Sequence, residues 1–301
     1  MKGFFLIDKS NGVTSFDVIR KMRKVCGVKK IGHSGTLDPL ATGLLVVAVS
    51  EATKLLEFLI GCDKEYEVLA EFGSVSNTFD AEGDVVASDV QKKCSRGEVE
   101  GELLAFIGDI KQVPPKFSAL KIGGKPAYEL ARKGEDVVMK AREVFVDRFE
   151  VLDFDWPFVR FGVNCSSGTY IRSLVHDLGG VLGCGAYVKE LRRLTVGKFN
   201  VDDAVLVENV DVERDLLSLE EVMGDWPRIE LSDYEFESLK DGRVLNKKSE
   251  QDGVIMAFYR GVLVGVLEGV DGGDGIGGGT GVGGGTGVGV GGGIKYKKVV
   301  H

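Results

Sequence analysis

The sequence predicts an α+β protein followed by a smaller, β-rich C-terminal region. Three observations carry this reading. Helix-like and strand-like patterns alternate irregularly through the first two-thirds of the 301 residues. The composition then shifts around Asp225-Trp226-Pro227. Beyond that point only short strand-like pieces follow, at 254–259, 262–267 and 294–299.

The elements read in order as follows. Ser15 is positioned to cap a helix running to about Cys26, with Val18, Ile19, Met22, Val25 and Cys26 as its apolar stripe and Gly27 as its stop. The other face of that helix carries Arg20, Lys21, Arg23 and Lys24, either a solvated surface or one that faces phosphates. Residues 31–43, IGHSGTLDPLATG, are too rich in Gly, Ser, Thr and Pro for a regular element. Gly43 to Val49 reads as a buried strand, and 51–60 has helical spacing at Leu55, Leu56, Leu59 and Ile60 before Gly61. Tyr66 to Phe72 and Val159 to Cys165 read as strands, and Tyr170 to about Leu182 as a helix entered through Ser166-Ser167-Gly168-Thr169.

Residues 269–293 hold 16 glycines in 25 positions, with GGGTGV occurring twice. Such a stretch cannot bury enough apolar surface to offset its ordering entropy, so it is expected to be a flexible loop. Its chance G-x-G-x-x-G at 279–284 has no strand before it and no amphipathic helix after it, which removes a dinucleotide site.

Composition excludes several classes. The longest apolar run, Leu44 to Val49, falls far short of the roughly 20 residues of a membrane span. The N-terminus has no signal-peptide core, so a cytoplasmic protein is expected. Five cysteines without C-x-x-C spacing and only three histidines argue against a zinc site or a disulfide framework. The net charge of −8 is unevenly spread. Residues 1–60 carry 9 Lys/Arg against 5 Asp/Glu, whereas 201–271 carry 7 against 18. The global sign therefore does not exclude RNA, whose affinity depends on the local field.

The informative loop is Gly32-His33-Ser34-Gly35-Thr36-Leu37-Asp38-Pro39-Leu40-Ala41-Thr42-Gly43. Pro39 biases Asp38 toward extended backbone angles, and the glycines permit close backbone approach. A carboxylate held there is a reasonable nucleophile, although an Asp-Pro step by itself is more often a turn initiator. A phosphoryl-transfer aspartate would want a second carboxylate, and position 40 is Leu. Neither a nucleophile elbow nor a P-loop is present.

GHSGTLDPLATGLL closely resembles the signature loop of the bacterial tRNA pseudouridine synthase B family. The resemblance continues in order through DKEYEVLAEFG (63–73), DAEG (80–83), QVPPKFSALKIGGKPAYELARKG (112–134), CSSGTYIRSLVHDLG (165–179) and LRRLTVGKF (191–199). It implies a pseudouridine-synthase catalytic domain over 1–225, built on a mixed, largely antiparallel sheet. A small PUA-like domain over 226–301 follows, with the glycine-rich stretch as an insert. The implied reaction isomerises uridine 55 of the tRNA T loop without metal or cofactor. The implied partner is the T-arm stem-loop of tRNA, with no obligatory protein partner and a monomeric enzyme.

Residue by residue, the resemblance makes Asp38 the catalytic aspartate, Tyr66 the tyrosine that stacks on uracil, and Arg172 the arginine paired with the aspartate. His33, Tyr170 and Leu191 match residues that contact the extruded nucleotide or shape its pocket, and Lys64 is expected to bind substrate. Physics supplies a reason for each role. A stacked uridine must be flipped out before its glycosidic bond is reachable, and an aromatic face receives it. In a water-poor pocket an aspartate tends to hold a proton, and a guanidinium favours the charged form. Three places depart from the family pattern: Ser76-Asn77 where Thr-Asp is usual, Phe117 where Tyr is often found, and the glycine-rich stretch itself. The rival readings are a catalytically silent tRNA-folding chaperone and a synthase acting on another RNA. Retention of Asp38, Tyr66 and Arg172 together argues against lost activity.

Overall fold

A computed structural model describes residues 1–241, 254–270 and 293–299. Most of the predicted glycine-rich loop, residues 271–292, lies outside the described residues.

The α+β expectation is met by a nine-stranded mixed sheet. Along its main path the strands run Gly3–Lys9, Thr42–Val49, Ala186–Val196, Lys64–Phe72, Phe158–Cys165, Arg142–Asp155 and Gly108–Gln112. Ala186–Val196 pairs antiparallel with Lys64–Phe72 and parallel with Thr42–Val49. The remaining pairs along 64–72, 158–165, 142–155 and 108–112 are antiparallel. Lys64–Phe72 alternates strictly, burying Lys64, Tyr66, Val68, Ala70 and Phe72 on one face. That period of two is the pleat itself, and it puts Lys64 and Tyr66 side by side.

Helix Ile171–Leu182 presents Ile171, Leu174, Val175 and Leu178 to the core that also holds Tyr66, Val68, Phe161, Leu37 and Leu191. It ends at Gly183, which takes the left-handed conformation that suits glycine. Helix Ser15–Cys26 ends in the same way at Gly27.

Local corrections are few. The cap of the first helix is Thr14, one residue before the predicted Ser15. Thr14 accepts from Asp17 N, and the Asp17 side chain reaches back to Thr14 N, completing a capping box. Val25 is 40% exposed and lies outside the buried stripe. The predicted helix over 51–60 is a 3₁₀ turn over Ser50–Leu55 that passes into an α-helix over Leu56–Ile60.

The chain divides into two compact units, one comprising 5–48 and 55–215, the other 1–4, 49–54 and 216–301. The second has its own four-stranded sheet. In it Arg228–Glu230 runs parallel to Val254–Tyr259, and Val262–Val270 and Gly293–Val299 continue antiparallel. Its core is Leu231, Leu239, Ile255, Ala257, Val264 and Leu267. No described helix is long and apolar enough to cross a membrane.

Candidate active site

The loop that carries Asp38 is fastened by the segment before the first helix. Ser15 Oγ donates to Leu37 O at 3.1 Å and accepts from Leu37 N at 2.9 Å. This explains why Ser15, buried and doubly engaged, does not cap its own helix. Lys9 Nζ donates to Pro39 O at 3.1 Å, Gly12 N to the same oxygen at 2.9 Å, and Asn11 Nδ2 to Leu40 O at 3.0 Å. Asp38 O accepts from Ala41 N at 3.1 Å. The aspartate therefore sits on a loop whose backbone is pinned on both sides of it.

Arg172 occupies the first turn of its helix and is only 3% exposed. Its Nη2 donates to Asp38 Oδ1 at 3.1 Å, and its Nε lies 3.0 Å from Asp38 Oδ2 as an ion pair without hydrogen-bond alignment. Nη2 also donates to Phe117 O at 2.8 Å, and Nη1 donates to Thr78 O at 2.9 Å and to Asp80 Oδ2 at 3.0 Å. The guanidinium thus bridges two carboxylates. Asp80 is itself buried and takes further bonds from Thr78 Oγ1 and Glu82 N. The role of Phe117 here runs through its carbonyl, which any residue supplies, so that departure from the family pattern leaves this contact unchanged.

The Asp38 side chain keeps 32% of its surface accessible, so it is paired on one side and open on the other. Burial pushes its carboxyl above the ordinary carboxylate range and Asp80 adds to that, while Arg172 and Lys9 pull the other way.

The open side faces a cavity of about 370 Å³. Tyr66, Leu191, Tyr170 and Lys64 line it with Asp38 and Arg172, together with Arg193 and the loop residues Ser34 to Leu37. Of the predicted residues only His33 is not among the lining groups. It is half-buried, its Nδ1 accepts from Gly35 N at 3.3 Å, and burial lowers its pKa. Tyr170 is held through its backbone, giving N–H to Gln112 Oε1 at 2.7 Å and accepting from Gln112 Nε2 at 3.0 Å. Lys64 is buried, with Nζ donating to the carbonyls of Ile60 and Cys62.

Sequence reasoning missed Asp80, Gln112 and Arg193. All three lie in quoted blocks, and Asp80 and Gln112 had no role assigned. Arg193 is only 1% exposed, far from the solvated or phosphate-contacting side chain that an Arg-Arg pair suggests. Its Nε donates to Leu44 O at 2.7 Å and its Nη2 to Gly35 O at 3.1 Å, and it stands opposite Tyr66 across the strand pair. A Cβ at Gly43, where φ is +99°, would stand 2.2 Å from Arg193 O. Arg192, by contrast, pairs with Asp8 at 2.8 Å.

The site is thus a guanidinium-paired aspartate at the edge of a tyrosine-walled cavity, and the chain's relatives are pseudouridine synthases. The family model described as TruB family pseudouridylate synthase (N terminal domain) matches residues 23–171, and the tRNA pseudouridylate synthase B C-terminal domain matches 172–224. The chain belongs to the TruB family of pseudouridylate synthases. It is 42% identical to tRNA pseudouridine synthase B of Pseudomonas fluorescens, over 78% of this chain and 80% of that one. It is 38% identical to the protein of that name from Clostridium tetani, over 84% and 90%. Among solved structures it resembles a chain of a Cbf5-Nop10-Gar1 complex, with TM-score 0.68 and 25% identity over 88% of this chain and 78% of that one. A chain of an H/ACA ribonucleoprotein bound to a substrate RNA containing 2′-deoxyuridine shares the fold, with TM-score 0.67 and 22% identity over 88% and 77%.

Proposed function

We propose that this enzyme isomerises uridine 55 in the T loop of tRNA to pseudouridine, with Asp38 as the nucleophile. The observation that carries the reading is the Asp38–Arg172 pair opening onto a cavity walled by Tyr66 and Leu191. A uridine stacked in a folded loop hides its glycosidic bond, so the base is flipped into the cavity and stacked on Tyr66. Arg172 keeps Asp38 ionised and aimed. Tyr170, held by Gln112, and Leu191 shape the walls, and His33 orders the turn into Gly35. The C1′–N1 bond is exchanged for a C1′–C5 bond, and the C5 proton is released.

The names of its relatives support tRNA as the substrate. The basic balance of residues 1–60 supports RNA contact near the loop that carries Asp38. We further infer that 1–225 is the catalytic domain, that 226–301 is a PUA-like module, and that the enzyme acts as a cytosolic monomer. In the test, the protein receives a T-arm minihelix tritiated at uridine C5, without added metal. Tritium is released and the new pseudouridine maps to position 55. No release from the minihelix or from whole tRNA overturns the reading.

A further inference from the structure

Three cations line the cavity: Arg172, Lys64 and Arg193. Arg172 has two carboxylates. Among the described residues the other two have none. Lys64 Nζ is satisfied by the carbonyls of Ile60, at 2.8 Å, and Cys62. Arg193 is satisfied by the carbonyls of Leu44 and Gly35. Both are buried, and they come together because strand register sets Arg193 opposite Tyr66, two residues from Lys64.

Burying a charge without a counter-charge is costly, and two like charges side by side more so. Burial and the neighbouring Arg193 lower the Lys64 pKa to about 8, against smaller opposing effects of Cys62, Cys165 and Asp63. A site built this way pays off only if negative charge arrives in it. Carbonyl partners keep each cation aimed while leaving its charge uncompensated.

We propose that Lys64 and Arg193 form a cationic wall that stabilises the uracil anion while it is detached from the ribose. The inference rests on the reading that this cavity receives a uridine. In the step concerned, an Asp38 oxygen bonds to C1′ as the C1′–N1 bond breaks, and the electron pair leaves with N1. The detached ring is then an anion, with charge shared by O2 and O4. After rotation C5 attacks C1′, the bond to Asp38 breaks and returns the carboxylate, and the proton lost from C5 is matched by one gained at N1. Addition of Asp38 to the ring at C6 would instead load O4, through the C5–C4 enolate. In either order the cations meet charge that the bound uridine lacks, which is the condition for accelerating chemistry instead of binding.

The experiment compares wild type, Lys64→Met and Lys64→Arg under single-turnover conditions. The substrates are T-arm RNA with uridine or with 5-fluorouridine at the target position. Loss of the N-linked nucleoside is followed by chromatography, and RNA affinity by filter binding. Loss of one preorganised charge-stabilising group costs about 100-fold, so Lys64→Met should slow cleavage of uridine by about that factor. Its RNA affinity should stay within about threefold of wild type, and Lys64→Arg should recover most of the rate. Fluorine at C5 stabilises the uracil anion by itself, so the Lys64→Met penalty should shrink on 5-fluorouridine. An equal penalty on both substrates, a rate within about threefold of wild type, or a loss seen entirely in affinity would each overturn the proposal. If Lys64→Met fails to fold, Arg193→Lys is read in the same way: a smaller penalty on 5-fluorouridine supports the wall, and an equal one overturns it. Wild-type protein that cleaves neither substrate is a different result, because it removes the parent reading.

Discussion

Replacing Arg172 by Met removes the guanidinium and keeps most of the side-chain volume. Two contacts to Asp38 vanish, Nη2 to Oδ1 at 3.1 Å and Nε to Oδ2 at 3.0 Å. Only the first is an aligned hydrogen bond, and one to a charged group is worth about 1.5–3 kcal/mol, so the aimed carboxylate loses roughly that much support. If that support is needed in the transition state, the rate falls by about one to two orders of magnitude. Arg172 is almost wholly buried, so RNA affinity should change little. The same substitution strands Asp80, a buried carboxylate whose charged partner is Arg172, and that alone costs about 3–5 kcal/mol of stability. Adding Asp80→Asn restores the fold, because the stranded charge is gone, yet leaves the enzyme slow. The assay is single-turnover tritium release beside filter binding and urea unfolding. A folded Arg172→Met enzyme within about tenfold of wild-type rate would refute the argument that the guanidinium prepares Asp38.

The remaining predictions are more local. Asp38→Asn should abolish turnover and keep most RNA affinity; turnover within about tenfold of wild type would remove Asp38 as nucleophile. Because the Asp38 carboxyl titrates above its usual 3.8, kcat/KM should fall with acid at a pH higher than an ordinary aspartate would give. Asp80→Asn removes a like charge that raises Asp38, so the acid limb of that profile should move to lower pH; a limb that stays or rises contradicts this. Gly43→Ala meets Arg193 O at 2.2 Å and strains a φ of +99°. It should destabilise by roughly 3 kcal/mol or more, read by urea unfolding, and a neutral result would mean the strands separate freely there. Thr14→Ala should cost about 1 kcal/mol in the same assay through loss of the capping box, with Ser15→Ala acting instead on turnover through Leu37.

Much of the fold was legible because its cues are local. The strand run from Tyr66 to Phe72, the apolar run after Gly43, and the glycine at 27 each report a backbone preference that survives packing. The pairing of Asp38 with Arg172 was legible only through the resemblance of whole blocks, since 134 residues separate them. What stayed hidden depends on closure. Ser15 looks like a cap until its hydroxyl is seen to be taken by Leu37. Arg193 beside Arg192 looks like a surface cation until the parallel pairing with Thr42–Val49 buries it. Asp80 bonds locally to Thr78 and Glu82, and it gains its cationic partner, as Gln112 gains Tyr170, only when helix Ile171–Leu182 docks.

The parallel pairing of Thr42–Val49 with Ala186–Val196 joins segments from opposite ends of the catalytic sequence. A ladder of such long sequence separation forms late, after shorter-range hairpins such as Arg142–Asp155 with Phe158–Cys165. Until it closes, Arg193 lacks the Leu44 carbonyl that holds its Nε, and one cation of the cavity wall is not fixed in place. Recovery of turnover during refolding should therefore lag behind recovery of helical signal, which makes the enzyme a built-in reporter of its own last assembly step.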